Sequence, residues 1–416
     1  MVSSQLFRSP MNQQSASTRR RVLVVVALAE LLAMSLWFSA TAAAPELASK
    51  WGLTPSETAW QTIAVQLGFV VGAFLSSVFT VSDVIRPRYL FAGSALAGAG
   101  VTALIAGFVD TALPAIALRF LTGVALAGVY PPGMKILAGW FKDGRGFAIG
   151  VLVGSLTIGS ALPHLIRAAG GVGQPRTVLY GAAGLATVGG LLVLLVEPGP
   201  HQAPAAPFDP GAIGRLLRDR PAMLANGGYF GHMWELYAVW TWIPAYLAAS
   251  LSVRGTAGPS ELASLLAFGT IAIGGLGAAF AGSVADRIGR TTVTSGSMLL
   301  SGVACLTAGF VFGSSLALVV PFVLIWGFAI VADSAQFSAA VSELSEDSYV
   351  GTALTLQTAI GFLLTTISIQ LIPMMVEVVG WQWAFAPLAI GPALGTASML
   401  RLRALPAARR LAGGKR

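Results

Sequence analysis

The chain carries little charge. Of its 416 residues only 10% are Asp, Glu, Lys or Arg, while 55% are hydrophobic and the mean hydropathy is +0.77. A water-soluble protein of this length carries about a quarter charged residues. A fold bathed in water on all sides is therefore excluded, and hydrocarbon becomes the expected solvent. Cysteine is scarcer still, with Cys305 alone. A single thiol forms no intramolecular disulfide and no thiolate metal cluster, and inside its apolar run it reads as a small core residue. No glycine run is followed by Lys-Ser or Lys-Thr, so an ATP-driven pump lacks its phosphate loop. No nucleophile–base set or metal-spaced cluster is visible. The chain is not read as an enzyme, and no cofactor or nucleic-acid partner is expected.

Against these absences stand 49 glycines, small residues that let membrane helices approach closely. GxxxG spacings occur at Gly68/Gly72, Gly150/Gly154 and Gly391/Gly395, but chance supplies such matches freely here and they carry little weight. Apolar runs of about 20 residues, enough to cross a bilayer, number twelve: 21–43, 57–81, 89–109, 112–134, 146–168, 177–196, 223–248, 260–284, 292–313, 317–341, 349–373 and 383–403. We number these spans 1 to 12. Basic residues ahead of span 1 imitate a signal peptide, but the run is too long, holds Glu30 and is followed by further spans, so it reads as a retained helix. The proline-rich segment EPGPHQAPAAPFDPG opens a linker, giving a six-span half (1–196), a connector (197–222) and a second six-span half (223–416).

Orientation follows from Lys and Arg. With both termini inside, twenty fall on the cytoplasmic side, from Arg8 to the basic tail, and four (Lys50, Arg167, Arg176, Arg254) on the other. Only Arg119 lies within a span. The reading is a multi-pass protein of the plasma membrane, probing the lipid bilayer as its first partner, with a tail suited to the anionic inner leaflet. The halves resemble each other: Asp83 in VSDVIRPR and Asp286 in VADRIGR are 203 residues apart, and Gly173 and Gly380 are 207 apart. A duplicated six-helix unit explains both offsets.

The stretch GSVADRIGR closely resembles the loop signature of the major facilitator superfamily, in Gly282, Asp286, Arg287, Gly289 and Arg290. Thr291 stands where the family usually adds a second basic residue, and the first-half copy keeps Asp83 and Arg88 without the intervening glycine. Arg119-xxx-Gly123, YPPGMK at 130–135 and WFKDGRGFAIG at 140–150 support the resemblance. It implies an all-α membrane fold of twelve transmembrane helices with inverted three-helix repeats, alternating access, and a central cavity lined by spans 1, 4, 7 and 10. It also implies that Asp286, and less clearly Asp83, latches the halves at a neighbouring helix start; the plainer alternative is that Arg287 and Arg290 only set topology. In span 5, Gly150, Gly159 and Pro163 fit the spacing of the family's antiporter signature, but Pro163 stands where a glycine is expected and His164 where the proline should be.

A charge at mid-bilayer is tolerated only against a partner or a cavity. The deep ionisable residues are Glu30 (span 1), Arg119 (span 4), His232 and Glu235 (span 7) and Asp333 (span 10), all on the four cavity helices that the resemblance names. Helical spacing adds Trp37 to the face of Glu30, Tyr130 to that of Arg119 and Tyr229 to that of His232. A carboxylate that moves between water and a cation can carry a proton, which points to Glu235 or Asp333 first and Glu30 second; a fixed ion pair is the alternative for each. The expected function is secondary transport of a small solute, with proton-coupled uptake of a small anion or organic acid as the leading reading. Drug–proton antiport of lipophilic cations is the second, and a channel or sensor the least supported. A monomer is expected.

Overall fold

The computed structural model describes residues 10–79, 81–141, 145–201, 210–346 and 350–415, which form helices and their connectors. Span 1 is Pro10–Ala33, prolonged by a 3-10 turn, Met34–Leu36, and a short helix, Ser39–Ala42. Spans 2 and 3 are Pro55–Val78 and Pro87–Phe108. Span 4 is Ala112–Leu126 followed by Tyr130–Trp140, span 5 is Arg145–Ile166 and span 6 is Pro175–Leu192. Spans 7, 8 and 9 are Arg220–Val253, Pro259–Ile288 and Arg290–Val311. Span 10 is Leu316–Ala332 with Ser334–Leu344, span 11 is Val350–Trp383 and span 12 is Ile390–Ala404.

Ten of these helices, among the described residues, are long and apolar enough to cross a membrane. Span 1, which carries Arg19, Arg20 and Arg21 ahead of its apolar stretch, and the 15-residue span 12 complete the twelve. Some boundaries move. Lys135 lies inside the second piece of span 4 rather than in a connector, span 11 runs on to Trp383, and the linker contains a helix, Pro210–Arg218, that packs against span 11.

Local chemistry explains the starts and the breaks. Proline at the first helical position opens spans 2, 3, 6 and 8, where its missing N–H costs nothing. At Thr54 a capping box forms, with the hydroxyl accepting from Glu57 N and the Glu57 carboxylate accepting from Thr54 N. In span 4, Pro131 and Pro132 lack N–H donors and crowd the carbonyls four residues back, so the helix stops at Leu126 and restarts at Tyr130. In span 10 the break falls at Asp333-Ser334, residue types whose side chains compete with the helical backbone. In span 1, Ser35 Oγ donates to Leu32 O at 2.6 Å and Ser39 Oγ to Leu36 O at 2.9 Å, helping to loosen the turns from Met34 onward.

The packing repeats with the sequence. A Cβ at Gly123 would lie 1.9 Å from Val65 O, and one at Gly327 would lie 1.9 Å from Thr270 O. These glycines, 204 residues apart, seat span 4 on span 2 and span 10 on span 8. Gly173 and Gly380 likewise both take left-handed φ, 77° and 70°. Gly68/Gly72 and Gly391/Gly395 also sit at backbone-close helix contacts, on span 4 and span 7 respectively, so the spacing given little weight in the sequence marks real interfaces; Gly150 faces open space.

The halves meet along two seams. Spans 5 and 8 touch backbone to backbone at Gly154 and Gly275. Spans 2 and 11 meet at Gln66 and Thr365 and, nearer the end of the bundle away from the termini, where Gln370 Nε2 donates to Ser56 O at 3.3 Å.

Candidate functional site

The five ionisable residues singled out in the spans are sealed inside the protein: Glu30, Arg119 and His232 are fully buried, and Glu235 and Asp333 are each 1% exposed. None faces lipid. They do not gather into one cluster, however; the structure divides them among three surroundings.

Arg119 pins the break in span 1. Its Nη1 donates to Leu36 O at 2.9 Å and to Ser39 Oγ at 3.2 Å, its Nε donates to Gln61 O at 3.1 Å, and Nη2 donates to Trp37 O. A planar fork of donors suits several carbonyls at once, and the carbonyl-rich end of a helical segment favours a cation. The break supplies the free carbonyls, and the arginine stabilises the break.

Glu30 lies apart from Arg119. Its Oε2 stands 3.0 Å from where a Cβ on Gly133 would be, and both carboxyl oxygens lack a hydrogen-bond partner. Tyr130 opens the second piece of span 4 and is partly buried.

Glu235, His232 and Asp333 belong to the second half. Ser301 Oγ lies 2.6 Å from Glu235 Oε1, and Cys305 Sγ lies 3.5 Å from Oε2. Both partners are on span 9, so the Glu235 carboxyl points into its own half rather than into the space between halves, as the cavity-helix reading had it. His232 Nδ1 stands 2.9 Å from Asp333 Oδ1, off the line of a straight hydrogen bond. The span 10 break places Asp333 there. Tyr229 and Phe337 flank the imidazole, with ring centroids 6.2 and 5.6 Å away.

Between the halves lies an aromatic floor. Trp37 meets Phe69 at 5.2 Å, Phe362 at 5.7 Å and Tyr237 at 6.0 Å, while Phe38 meets Trp240 at 5.8 Å. Sequence spacing found Trp37 but missed Phe69, Tyr237 and Phe362, because aromatic residues in an apolar chain carry no signal of their own. Closer to the end away from the termini, Arg167, which opens the turn Arg167–Gly171 directly after span 5, binds Glu46 and reaches Ser264 Oγ and Ser260 O of span 8.

At the end that carries the termini, the expected latch at Asp286 is not closed. Its side chain is 71% exposed, and its charged neighbour Arg290, at the start of span 9, is 3.7 Å away. Arg290 instead binds Glu343 of span 10 with a forked pair at 2.9 and 2.6 Å. Arg287 is exposed, Gly282 is half-buried, and Gly289 makes the turn into span 9 with φ 100°. Arg88 contacts Glu197 at 3.2 Å and stacks on Tyr89. The Asp83 side chain lies outside the described residues. The tail is not free for lipid along its whole length: Ala412 N donates to Glu343 Oε2 and Lys415 Nζ to Asp286 O.

One repeat escaped the sequence reading. Glu30-Leu31-x-Ala33-x-x-x-Trp37 in span 1 recurs as Glu235-Leu236-x-Ala238-x-x-x-Trp242 in span 7, offset by 205. The two glutamates are equivalent positions in the duplicated unit.

A twelve-helix bundle in two related halves, closed over buried charges, defines a membrane transporter of the facilitator type. The family model of the Major Facilitator Superfamily matches residues 26–277 and 225–416, and the chain belongs to that family. It is 25% identical over 329 residues to a probable sulfoacetate transporter, SauU, of Cupriavidus necator, covering 70% of this chain and 71% of that protein. Among solved structures, the nucleoside transporter NupG superposes with TM-score 0.72 at 16% identity, covering 92% of this chain and 99% of that one. A bacterial homolog of the human lysosomal transporter Spinster, in an inward-facing and occupied conformation, gives TM-score 0.71 at 13% identity, covering 92% and 97%. These two likenesses concern the fold alone.

Proposed function

We propose that the protein takes up a small organic anion of the sulfonate or carboxylate class together with protons. The halves, 1–196 and 223–416, rock about their seams in a single copy of the chain, with 197–222 as the cytoplasmic linker. The protein sits in the plasma membrane with both termini inside, as its basic residues favour. The likeness to a probable sulfoacetate transporter supports the solute class. Contacts between halves near the end opposite the termini support a conformation closed outside.

The observation that carries proton coupling is the hydrogen count at Glu235. Ser301 has one hydroxyl hydrogen and two acceptors, Glu235 Oε1 at 2.6 Å and Met298 O at 3.2 Å. A proton on Glu235 satisfies both: the carboxylic acid donates to Ser301 Oγ, and the hydroxyl donates to Met298 O. An enclosed ionised carboxylate would have only a hydroxyl and a weak thiol donor. This arrangement supports a proton on Glu235 in this state, with His232 and Asp333 as neighbouring exchange groups.

The test is uptake of sulfoacetate into proteoliposomes under an inside-alkaline pH gradient. Glu235→Gln and Asp333→Asn should abolish gradient-driven accumulation while solute counterflow persists. Full accumulation in both variants would show the proton assignment to be wrong. The aromatic floor favours a second reading, export of lipophilic cations, since such rings attract cations; competition by a cationic dye rather than by sulfoacetate would select it.

A further inference from the structure

Span 5 ends in a feature that the proposed function leaves unused. Helical spacing puts Thr157, Ser160, His164 and Arg167 on one stripe, and all four are buried. Leu162 and Ile166, on the opposite face, are partly exposed. The stripe is buried from mid-depth to the end of the span; Thr157 Oγ1 is satisfied by Val153 O of its own helix, and the members that set it apart from ordinary small-residue packing are His164 and Arg167.

His164 is its least satisfied member. It is fully buried, and neither ring nitrogen has a hydrogen-bond partner. Buried polar groups are nearly always bonded, so this imidazole lacks something that another state supplies. One turn outward, Arg167 spans the seam. Nη2 donates to Glu46 Oε1 at 2.8 Å and Nε at 3.1 Å, while Nη1 donates to Ser264 Oγ and, at 3.4 Å, to Ser260 O of the other half. Moving span 8 away from span 5 at this end removes the two serine contacts, leaves Glu46 to orient the guanidinium and opens the stripe. The charged groups bordering it are then Arg167 and its partner Glu46.

We propose that this stripe is the outer half of the solute path, and that His164 and Arg167 bind the oxyanion end of the solute when the outer seam opens. This rests on the small-anion reading above and extends it to named residues. An imidazole N–H donates to one oxygen, and the arginine donates charge-assisted hydrogen bonds to another. The pair supplies the hydrogen-bond donors that the centre lacks while Arg119 is occupied by carbonyls.

Two experiments decide it. In proteoliposomes given sulfoacetate, His164→Leu should raise KM about 10-fold or more, the loss expected when a hydrogen bond to a charged group disappears, with a smaller change in maximal rate. His164→Gln keeps a donor and should recover most of the affinity, and it stands in if the leucine variant does not fold. An unchanged KM in both overturns the proposal. Independently of the solute, Ser160→Cys is labelled from outside with an anionic or a cationic methanethiosulfonate, with the wild type, whose Cys305 is buried, as the blank. Faster labelling by the anion, slowed by Arg167→Gln, is expected. No labelling, or a cation that reacts as fast, overturns the proposal. If wild type takes up no sulfoacetate while the labelling result holds, the sulfonate reading falls and the anion path stands.

Discussion

At the scale of single residues, the bonds each buried charge makes separate structural from working groups. Arg119 spends its guanidinium on Leu36, Trp37, Ser39 and Gln61. Arg119→Lys keeps the charge but loses the fork, and about 3 kcal/mol of stability should go with the lost charge-assisted bonds; a thermal unfolding midpoint equal to wild type would remove its pinning role. Glu30 has no bond to lose, so Glu30→Gln should change stability by less than about 1 kcal/mol in the same measurement. The presence of these charges on spans 1, 4, 7 and 10 was legible in the sequence. Their partners were not: two of the three carbonyls that Arg119 binds are offered by the break in span 1, and Glu235 turns to span 9 because Ser301 and Cys305 happen to face it.

At the scale of helices, the spans were readable because each needs about 20 apolar residues whatever its neighbours. Span 4 reads as one run, 112–134, although Pro131 and Pro132 carry the signal for its break. The breaks in spans 1 and 10 were hidden, since neither contains proline or glycine at the interruption, and both depend on side chains competing for backbone groups. Backbone-close packing makes a sharp prediction. Gly123→Ala and Gly327→Ala should each destabilise the protein by about 1–3 kcal/mol, the usual result of overpacking, whereas Gly150→Ala, with open space around it, should melt with wild type. Matching midpoints for all three would mean that spans 2 and 4, and spans 8 and 10, are not held as close as described.

At the scale of the whole molecule, the two halves are copies that keep position but not chemistry. Glu30 and Glu235 are equivalent, yet one carboxyl is unbonded and the other is held by a hydroxyl and a thiol. The contact between Gln370 and Ser56, at the end away from the termini, offers a direct check on the proposed closure there: with cysteines at both positions, a short bifunctional reagent should bridge the halves and stop transport, and reduction of a cleavable linker should restore it. Unimpaired transport after bridging would show that this end need not part. The glycine pair at the seam has a mechanical consequence. Gly154 meets Gly275 with no side chain to wedge them, so tilting one half over that point makes span 5 a lever with unequal arms. Thirteen residues separate the fulcrum from Arg167 and nine separate it from Arg145, roughly 20 and 14 Å at 1.5 Å per residue. A given swing displaces the tip far from the termini more than the one near them, so a small yawn at one end is geared to a wider gape at the other.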